Sequence, residues 1–173
     1  MKTLTSTCFS DKALLLVIFL MLAINTPTWA QKQVTDTSKT KMNEVMMMPG
    51  EMTWQDAPPG LPAGAKIAVL SGDPSKAELF SIRLKFPPNY KIPAHTHSFD
   101  EHVAVVSGSL EMGIGNQAGS SQQKSFPTGS YTLFPANKAH FAMSKGETIV
   151  HIYGMGPFSI TYLNPAEDPR NKK

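Results

Sequence analysis

The chain has 173 residues, of which 41% are hydrophobic and 17% charged, and its formal net charge is +3 at pH 7. This length suits one domain with a substantial core. The small and scattered positive charge gives no support for nucleic-acid binding. Cys8 is the single cysteine. Because it precedes the cleavage site predicted below, the mature chain has neither a disulfide nor a thiolate metal ligand.

Residues 1–30 have the pattern of a secretory signal peptide. Lys2 and Lys12 lie before an apolar run over residues 13–24, and Ala30 is a small residue suited to cleavage. A membrane-spanning helix needs about 20 apolar residues, so the run favours cleavage before Gln31, with an uncleaved anchor as the alternative. We therefore expect an exported protein, periplasmic or secreted, with no stable membrane anchor after cleavage.

The segment that follows is polar. Residues 31–44 lack apolar periodicity and are predicted to form a mobile leader, and the folded domain is expected over residues 45–173. Prolines and glycines between residues 49 and 64 exclude a long helix there. The run Met46, Met47 and Met48 could bind copper(I) through its thioethers. Flexible methionines that pack on the outside of the domain are the simpler interpretation.

Short strand patterns fill the rest of the chain. Apolar residues alternate with polar ones from Phe80 to Phe86, which is typical of a strand with one wet face. The predicted strands cover residues 66–70, 80–86, 95–97, 102–107, 109–114, 131–134, 140–144, 148–153 and 158–163. These short strands, separated by Gly, Pro and Asn turns and without a helical period, predict an all-β barrel or a double-sheet sandwich.

Two separated groups of residues have the spacing of a divalent metal site. His95 and His97 share one face of a strand because side chains alternate with period 2, and a turn can bring Glu101 beside them. His140 follows a strand that ends before Pro135, and pairing of the two strands would bring it to the same place. Three imidazoles and one carboxylate suit Fe, Mn, Ni, Cu or Zn and leave coordination positions open. A barrel without metal and a chance spacing are the alternatives.

These spacings resemble the two motifs of the cupin superfamily. The family's first motif is G-x5-H-x-H-x3,4-E-x6-G, which the chain matches from His95 to Gly108. The second is G-x5-P-x-G-x2-H-x3-N, which it matches from Gly129 to His140 except at the inner glycine. The resemblance implies a cupin-type jelly-roll β-barrel whose metal ligands are His95, His97, Glu101 and His140. Residues 54–170 are also similar to a group of small, exported, single-domain cupins with no settled activity.

The chain departs from the cupin pattern at three positions. Asn89 and Asn137 occupy positions where the family has glycine, and Ser144 replaces a closing asparagine. Asparagine tolerates positive φ better than other non-glycine residues, so the same turns are expected. Ser144 leaves open which hydrogen bond replaces that of the usual asparagine.

Two functions are consistent with the resemblance. Cupin dioxygenases imply an oxidoreductase that acts on a small oxygen-donating substrate such as a phenol, with Glu101 as a catalytic base as well as a metal ligand. Oxalate chemistry is disfavoured, because cupin oxalate decarboxylases carry arginine where this chain has Ile92. The alternative is a non-catalytic metal-binding or small-molecule-sensing module, similar to the zinc-binding cupin domain of anti-sigma factors.

Strand alternation also predicts which side chains surround the site. Val103 and Val105 should face inward with Glu101, whereas His102 should face outward and is not expected to be a ligand. His151 faces the cavity in one interpretation and is an ordinary barrel residue in the other.

Further residues are assigned to the two faces of the sheets in the same way. The residues expected to line the cavity beside the metal are Thr132, Phe134 and Ala142. The apolar residues expected to face outward are Val106, Phe141 and Met143. A neighbouring strand covers this outward group, or it forms the surface of a homodimer.

Overall fold

The computed structural model describes residues 44–116 and 123–172. The predicted signal peptide and, apart from residue 44, the predicted leader lie outside these ranges and stay predictions. Within the described ranges, no helix is both long and apolar enough to cross a membrane. Met46 and Met48 are 90% and 68% exposed, so these two side chains do not pack closely on the domain.

The described residues form two antiparallel sheets. The strands are β1 (Gln55–Asp56), β2 (Lys66–Ser71), β3 (Leu79–Phe86), β4 (Lys91–Thr96), β5 (Glu101–Ser107), β6 (Ser109–Ile114), β7 (Lys124–Pro127), β8 (Tyr131–Phe134), β9 (His140–Ser144), β10 (Thr148–Met155) and β11 (Thr161–Tyr162). One sheet has the order β1-β2-β3-β10-β5-β8, and the other has the order β11-β4-β9-β6-β7. Short 3-10 turns at Pro49–Glu51 and Pro169–Asn171 are the helical elements of the described ranges. The all-β jelly-roll prediction is confirmed.

The differences from the predicted strands have local causes. Strand β7 was not predicted, because Lys124–Pro127 is short, polar and ends in proline. Strand β4 begins at Lys91, whereas the predicted strand began at residue 95. The prediction missed the first half of the strand because proline is rare inside strands and Pro93 lies there. Strand β11 covers just Thr161–Tyr162 of the predicted 158–163.

The inner faces of the two sheets meet in one apolar core. The inward side chains of β3 are Phe80, Ile82, Leu84 and Phe86, and each is at most 1% exposed. They lie in register with the inward residues of β10, where Val150 pairs with Leu84 and Ile152 with Ile82. Burial of each large apolar side chain stabilises the fold by about 1.5–3 kcal/mol. The barrel therefore has enough apolar burial to hold its shape without a bound ion.

Strand β5 follows the predicted alternation. Glu101, Val103 and Val105 are buried, whereas His102 is half-buried on the opposite face. Of the outward apolar residues, one is covered within the domain and another stays exposed. Phe141 is 3% exposed and packs against Gly113, where an added Cβ would lie 2.4 Å from its ring. Val106 stays 37% exposed, and the homodimer remains a prediction.

Both asparagine turns have the predicted conformation. Asn89 has φ of 60° and Asn137 has φ of 61°, so each occupies the left-handed region that glycine favours. The backbone N–H of Asn137 also donates to the carbonyl of His97 over 2.8 Å. The turn after β8 is thereby tied to the segment that carries the first histidine pair.

Ser144 replaces the usual asparagine with a buried hydroxyl that makes two hydrogen bonds. Its Oγ donates to the carbonyl of Pro87 over 2.7 Å and accepts from the backbone N–H of Tyr90 over 3.2 Å. These bonds join the end of β9 to the turn at Asn89. Ser144 is therefore a structural residue that fixes the turn before β4.

Candidate metal centre

A β-bulge in β4 turns His95 into the barrel. Ile92 pairs with Ala142 and His95 pairs with His140, so three residues of β4 span the distance of two on β9. The extra residue lets Ile92 and His95 both face inward, although simple alternation would place them on opposite faces. Proline is tolerated at such a bulge, where no ladder hydrogen bond is needed.

Three histidines meet inside the barrel. His95, His97 and His140 each place one ring nitrogen within 4.8 Å of the other two, and each side chain is buried. The carboxylate of Glu101 contacts two of these rings: Oε2 lies 3.1 Å from Nε2 of His140, and Oε1 lies 3.5 Å from Nε2 of His97. The structure thus brings together all four residues that the motifs predict.

The hydrogen bonds of the rings determine which nitrogens face the centre. Each Nδ1 lies against a backbone carbonyl: that of His95 against Pro93 at 2.7 Å, that of His97 against Ser159 at 2.5 Å, and that of His140 against Lys138 at 3.0 Å. A carbonyl can accept but not donate, so each Nδ1 carries the hydrogen. In a neutral imidazole, Nε2 then has no hydrogen and offers a lone pair.

Two of the inward nitrogens lack a protein donor. Nε2 of His97 is buried and has no hydrogen-bond partner among the described residues. Nε2 of His140 faces a carboxylate oxygen at 3.1 Å, a contact between two acceptors unless a proton or a cation lies between them. Phe134 stacks parallel on the ring of His140 at 3.9 Å and holds it in this orientation. A divalent cation fits this donor set, and outer carbonyls that fix the tautomer are usual for metal-binding histidines.

The pKa shifts favour the protonation states that a metal requires. Burial, and then the neighbouring His140 and His97, lower the pKa of His95 to about 3. Burial also lowers the pKa of His97. For Glu101, burial raises the pKa, but the close contact with His140 and the other nearby histidines outweigh it and leave the pKa below its ordinary value. Neutral imidazoles and an ionised carboxylate are the forms that bind metal.

A small cavity adjoins the four residues. It offers about 30 Å³ to the centre of a water molecule. Apart from these four residues, every described side chain on its wall is apolar. Phe134 and Ala142 line it as predicted, whereas Thr132 does not. The wall also includes Leu61, Phe158 and Ile160, which were not predicted to line the site and which lie outside the strands of the structure.

The other two histidines lie on the outer face of the six-stranded sheet. Nδ1 of His102 is 2.7 Å from the hydroxyl of Tyr131, and its ring stacks on Tyr153 at 4.4 Å. Nε2 of His151 is 2.6 Å from Oγ of Ser81. The outward orientation predicted for His102 is confirmed. The interpretation that His151 faces the cavity is wrong, because Val150 and Ile152 on either side of it face inward.

Solved structures with the same fold include proteins of different activity. An RmlC-like cupin from Shewanella frigidimarina is 17% identical, covers 65% of this chain and 91% of its own, and has a TM-score of 0.52. The polyketide cyclase RemF from Streptomyces resistomycificus is 16% identical, with coverage of 74% and 90% and a TM-score of 0.59. A Methylibium petroleiphilum protein described as a candidate acetylacetone dioxygenase is 16% identical, with coverage of 76% and 88% and a TM-score of 0.58.

At these identities the likeness shows the fold alone, which is the cupin jelly roll. No curated protein matches the chain. One family model matches residues 32–161 and is described as a domain of unknown function, DUF4437. Because this match spans most of its length, the chain belongs to the DUF4437 family.

Proposed function

We propose that the protein binds one divalent transition metal ion through Nε2 of His95, His97 and His140 and a carboxylate oxygen of Glu101. The observation that carries the proposal is the convergence of three Nε2 lone pairs, each set by an Nδ1–H bond to a backbone carbonyl. Imidazole and carboxylate donors suit Fe, Mn, Ni, Cu or Zn.

We infer further that the site is that of an oxygenase for a small oxygen-donating substrate. A bound ion would supply Lewis-acid or redox chemistry and open coordination positions on the cavity side. Glu101 would take a proton at its carboxylate, since the remaining described side chains of the wall, other than the three histidines, are apolar. The Methylibium protein of similar fold, described as a candidate acetylacetone dioxygenase, supports the oxygenase class. The cyclase RemF has a similar fold too, so fold alone does not select an oxygenase.

A non-catalytic binding module is the second candidate. The observation that favours it is the small and almost wholly apolar cavity, which holds no acid or base besides the four residues among its described walls. Such a module would bind the ion, or the ion and a small ligand, and would be stabilised by that binding.

Metal analysis followed by oxygen uptake separates the two candidates. The purified protein should carry about one ion per chain, and an oxygenase loaded with Fe, Mn, Ni or Cu should consume dioxygen with a phenolic or enediol substrate. A binder would be inert with every metal, yet a small ligand would raise its Tm. That second outcome would remove the oxygenase proposal and leave the metal site standing.

We also propose that the protein is exported and begins at Gln31 after cleavage. The support is the short apolar run over residues 13–24 and the small residue Ala30. Intact-mass measurement of the exported protein tests it. Recovery of the uncleaved chain from the membrane fraction would contradict it.

A further inference from the structure

The chemistry of the cavity wall restricts what can bind beside the metal. We propose that the cavity selects a small oxygen chelator with a single negative charge and an apolar remainder, and that Leu61 limits the length of that remainder. The inference rests on the proposed metal site but does not require turnover. It uses the charge of the four polar residues, the apolar wall and the loop that carries Leu61.

The charge of the site favours a monoanion. A divalent ion held by three neutral imidazoles and one carboxylate has a net charge of +1, which a singly charged ligand neutralises. A dianion would leave one negative charge in a wall that contains no lysine or arginine among its described residues. A buried charge without a partner is strongly disfavoured. Ile92 in this wall is one of the apolar side chains that such a charge would meet.

The wall also disfavours polar groups beyond the chelating oxygens. Its described side chains, other than the four polar residues, are aliphatic, aromatic or methionine and provide no hydrogen-bonding group. A hydroxyl or amide that entered this space would lose its bonds to water without replacing them, which weakens binding about tenfold to a hundredfold. A methyl group in the same position would be buried favourably.

The loop over residues 58–64 contributes one side chain, Leu61, to the cavity wall. Leu61 is 5% exposed and lines the cavity, whereas Pro59 and Ala63 on the same loop face solvent. The space of about 30 Å³ corresponds to about two water molecules. Two chelating oxygens would fill those positions, so a longer remainder would press against the apolar wall, to which Leu61 belongs.

Hydrogen bonds from outside the sheet ladders hold the backbone of this loop. Its ends are joined by the hydrogen bond from the N–H of Ala57 to the carbonyl of Ala65, over 3.0 Å. Two buried tyrosine hydroxyls donate to its carbonyls: Tyr162 to Gly60 over 2.9 Å, and Tyr90 to Pro62. Because these bonds engage the backbone on either side of Leu61, the side chain can be shortened without removing them.

Three nearly isosteric ligands test the chemical class. Pyruvate, oxamate and oxalate share a two-oxygen chelating group and end in a methyl, an amide and a second carboxylate. The protein is loaded with Co²⁺, whose visible absorption reports ligand binding, and each ligand is titrated at constant pH. Pyruvate should bind tighter than oxamate and oxalate by about tenfold or more. The reverse order, or no spectral response to any of the three, would overturn the inference.

Chain length tests Leu61. The native chain should bind 2-oxopentanoate about tenfold more weakly than pyruvate, and Leu61→Ala should reduce that ratio to about threefold or less. Leu61→Val should fall between them, which keeps the test usable if the alanine variant folds poorly. Leu133→Ala, on the outer face, is the matched control and should leave the ratio unchanged. An unchanged ratio in both Leu61 variants would remove its role.

The two proposals fail in different ways. If Co²⁺ does not bind, the metal site itself is wrong. If Co²⁺ binds and the ligand order is reversed, the metal site stands and the selectivity is wrong.

Discussion

Three of the five histidines lie inside the barrel, and two lie on the outer face of the six-stranded sheet. The inner rings bond through Nδ1 to backbone carbonyls, which can only accept. The outer rings bond to hydroxyl groups of Tyr131 and Ser81, which can donate or accept, so their tautomers are not set in this way. A buried histidine whose Nδ1 donates to a backbone carbonyl is therefore prepared to bind metal, whereas a histidine that bonds to a hydroxyl group on the outer face is not.

Removal of an inner ring should have the largest effect on metal content. His140→Ala deletes one of three converging nitrogens, and we expect the ion to fall from about one per chain to less than about a tenth after dialysis. The barrel should stay folded, since its core does not depend on the ion. Elemental analysis and circular dichroism measure the two quantities. His102→Ala is the matched control, and an equal metal loss from that change would contradict the distinction between the two sets.

The pH dependence of the metal-free protein should reflect the buried His95. Its folded-state pKa is lowered to about 3, below the unfolded value of about 6.5, because of burial and then of His140 and His97. The unfolded chain therefore binds a proton that the folded chain does not, so stability present above pH 6.5 is lost as the pH falls toward 3.

Between pH 7 and pH 5 this loss should be about 2 kcal/mol in the free energy of unfolding. Urea denaturation at a series of pH values measures it. His95→Gln should flatten the dependence in that range. A native chain whose stability is constant from pH 7 to pH 5 would show that His95 is not held neutral.

Replacement of the inner carboxylate should separate charge from coordination. Glu101→Gln keeps the shape and one weakly coordinating oxygen but removes the negative charge, so metal affinity should fall by about tenfold. Any oxygen uptake should fall further, because the amide cannot take a proton. Isothermal titration with metal and an oxygen electrode give the two ratios. If metal affinity and oxygen uptake fall by the same factor, Glu101 acts as a metal ligand and not as a base.

The outer set should show the smallest effect, and only on stability. His102→Ala removes the stack on Tyr153 and the hydrogen bond with Tyr131, which together stabilise the fold by about 1 kcal/mol. Chemical denaturation of the metal-free protein measures this change. Tyr153→Leu, which removes the same stack from the other side, should not add its full effect to that of His102→Ala.

The residues of the centre could be predicted because spacing and strand period point to the same four positions. Alternation along β5 placed Glu101 inward and His102 outward, and both orientations agree with their burial. The bulge in β4 was less accessible: Pro93 marks an irregularity, but the register that turns both Ile92 and His95 inward depends on pairing with β9.

The carbonyl partners of the histidines and the place of Leu61 in the cavity wall could not be predicted from the sequence. The carbonyl that fixes His97 belongs to Ser159, far along the chain in an irregular segment, and any residue can supply a carbonyl. Leu61 lies in a Pro- and Gly-rich loop that has no period from which a buried face could be predicted. Tertiary packing alone determines both.

Anomalous diffraction from crystals of the Zn²⁺-loaded protein, recorded on both sides of the zinc edge, locates the bound ion. We expect one strong peak per chain inside the barrel, about 2.0–2.1 Å from Nε2 of His95, His97 and His140, with Glu101 beside it. We expect no comparable peak at His102 or His151. A barrel without a peak at full loading, or a peak bound through Nδ1, would contradict the proposed metal site.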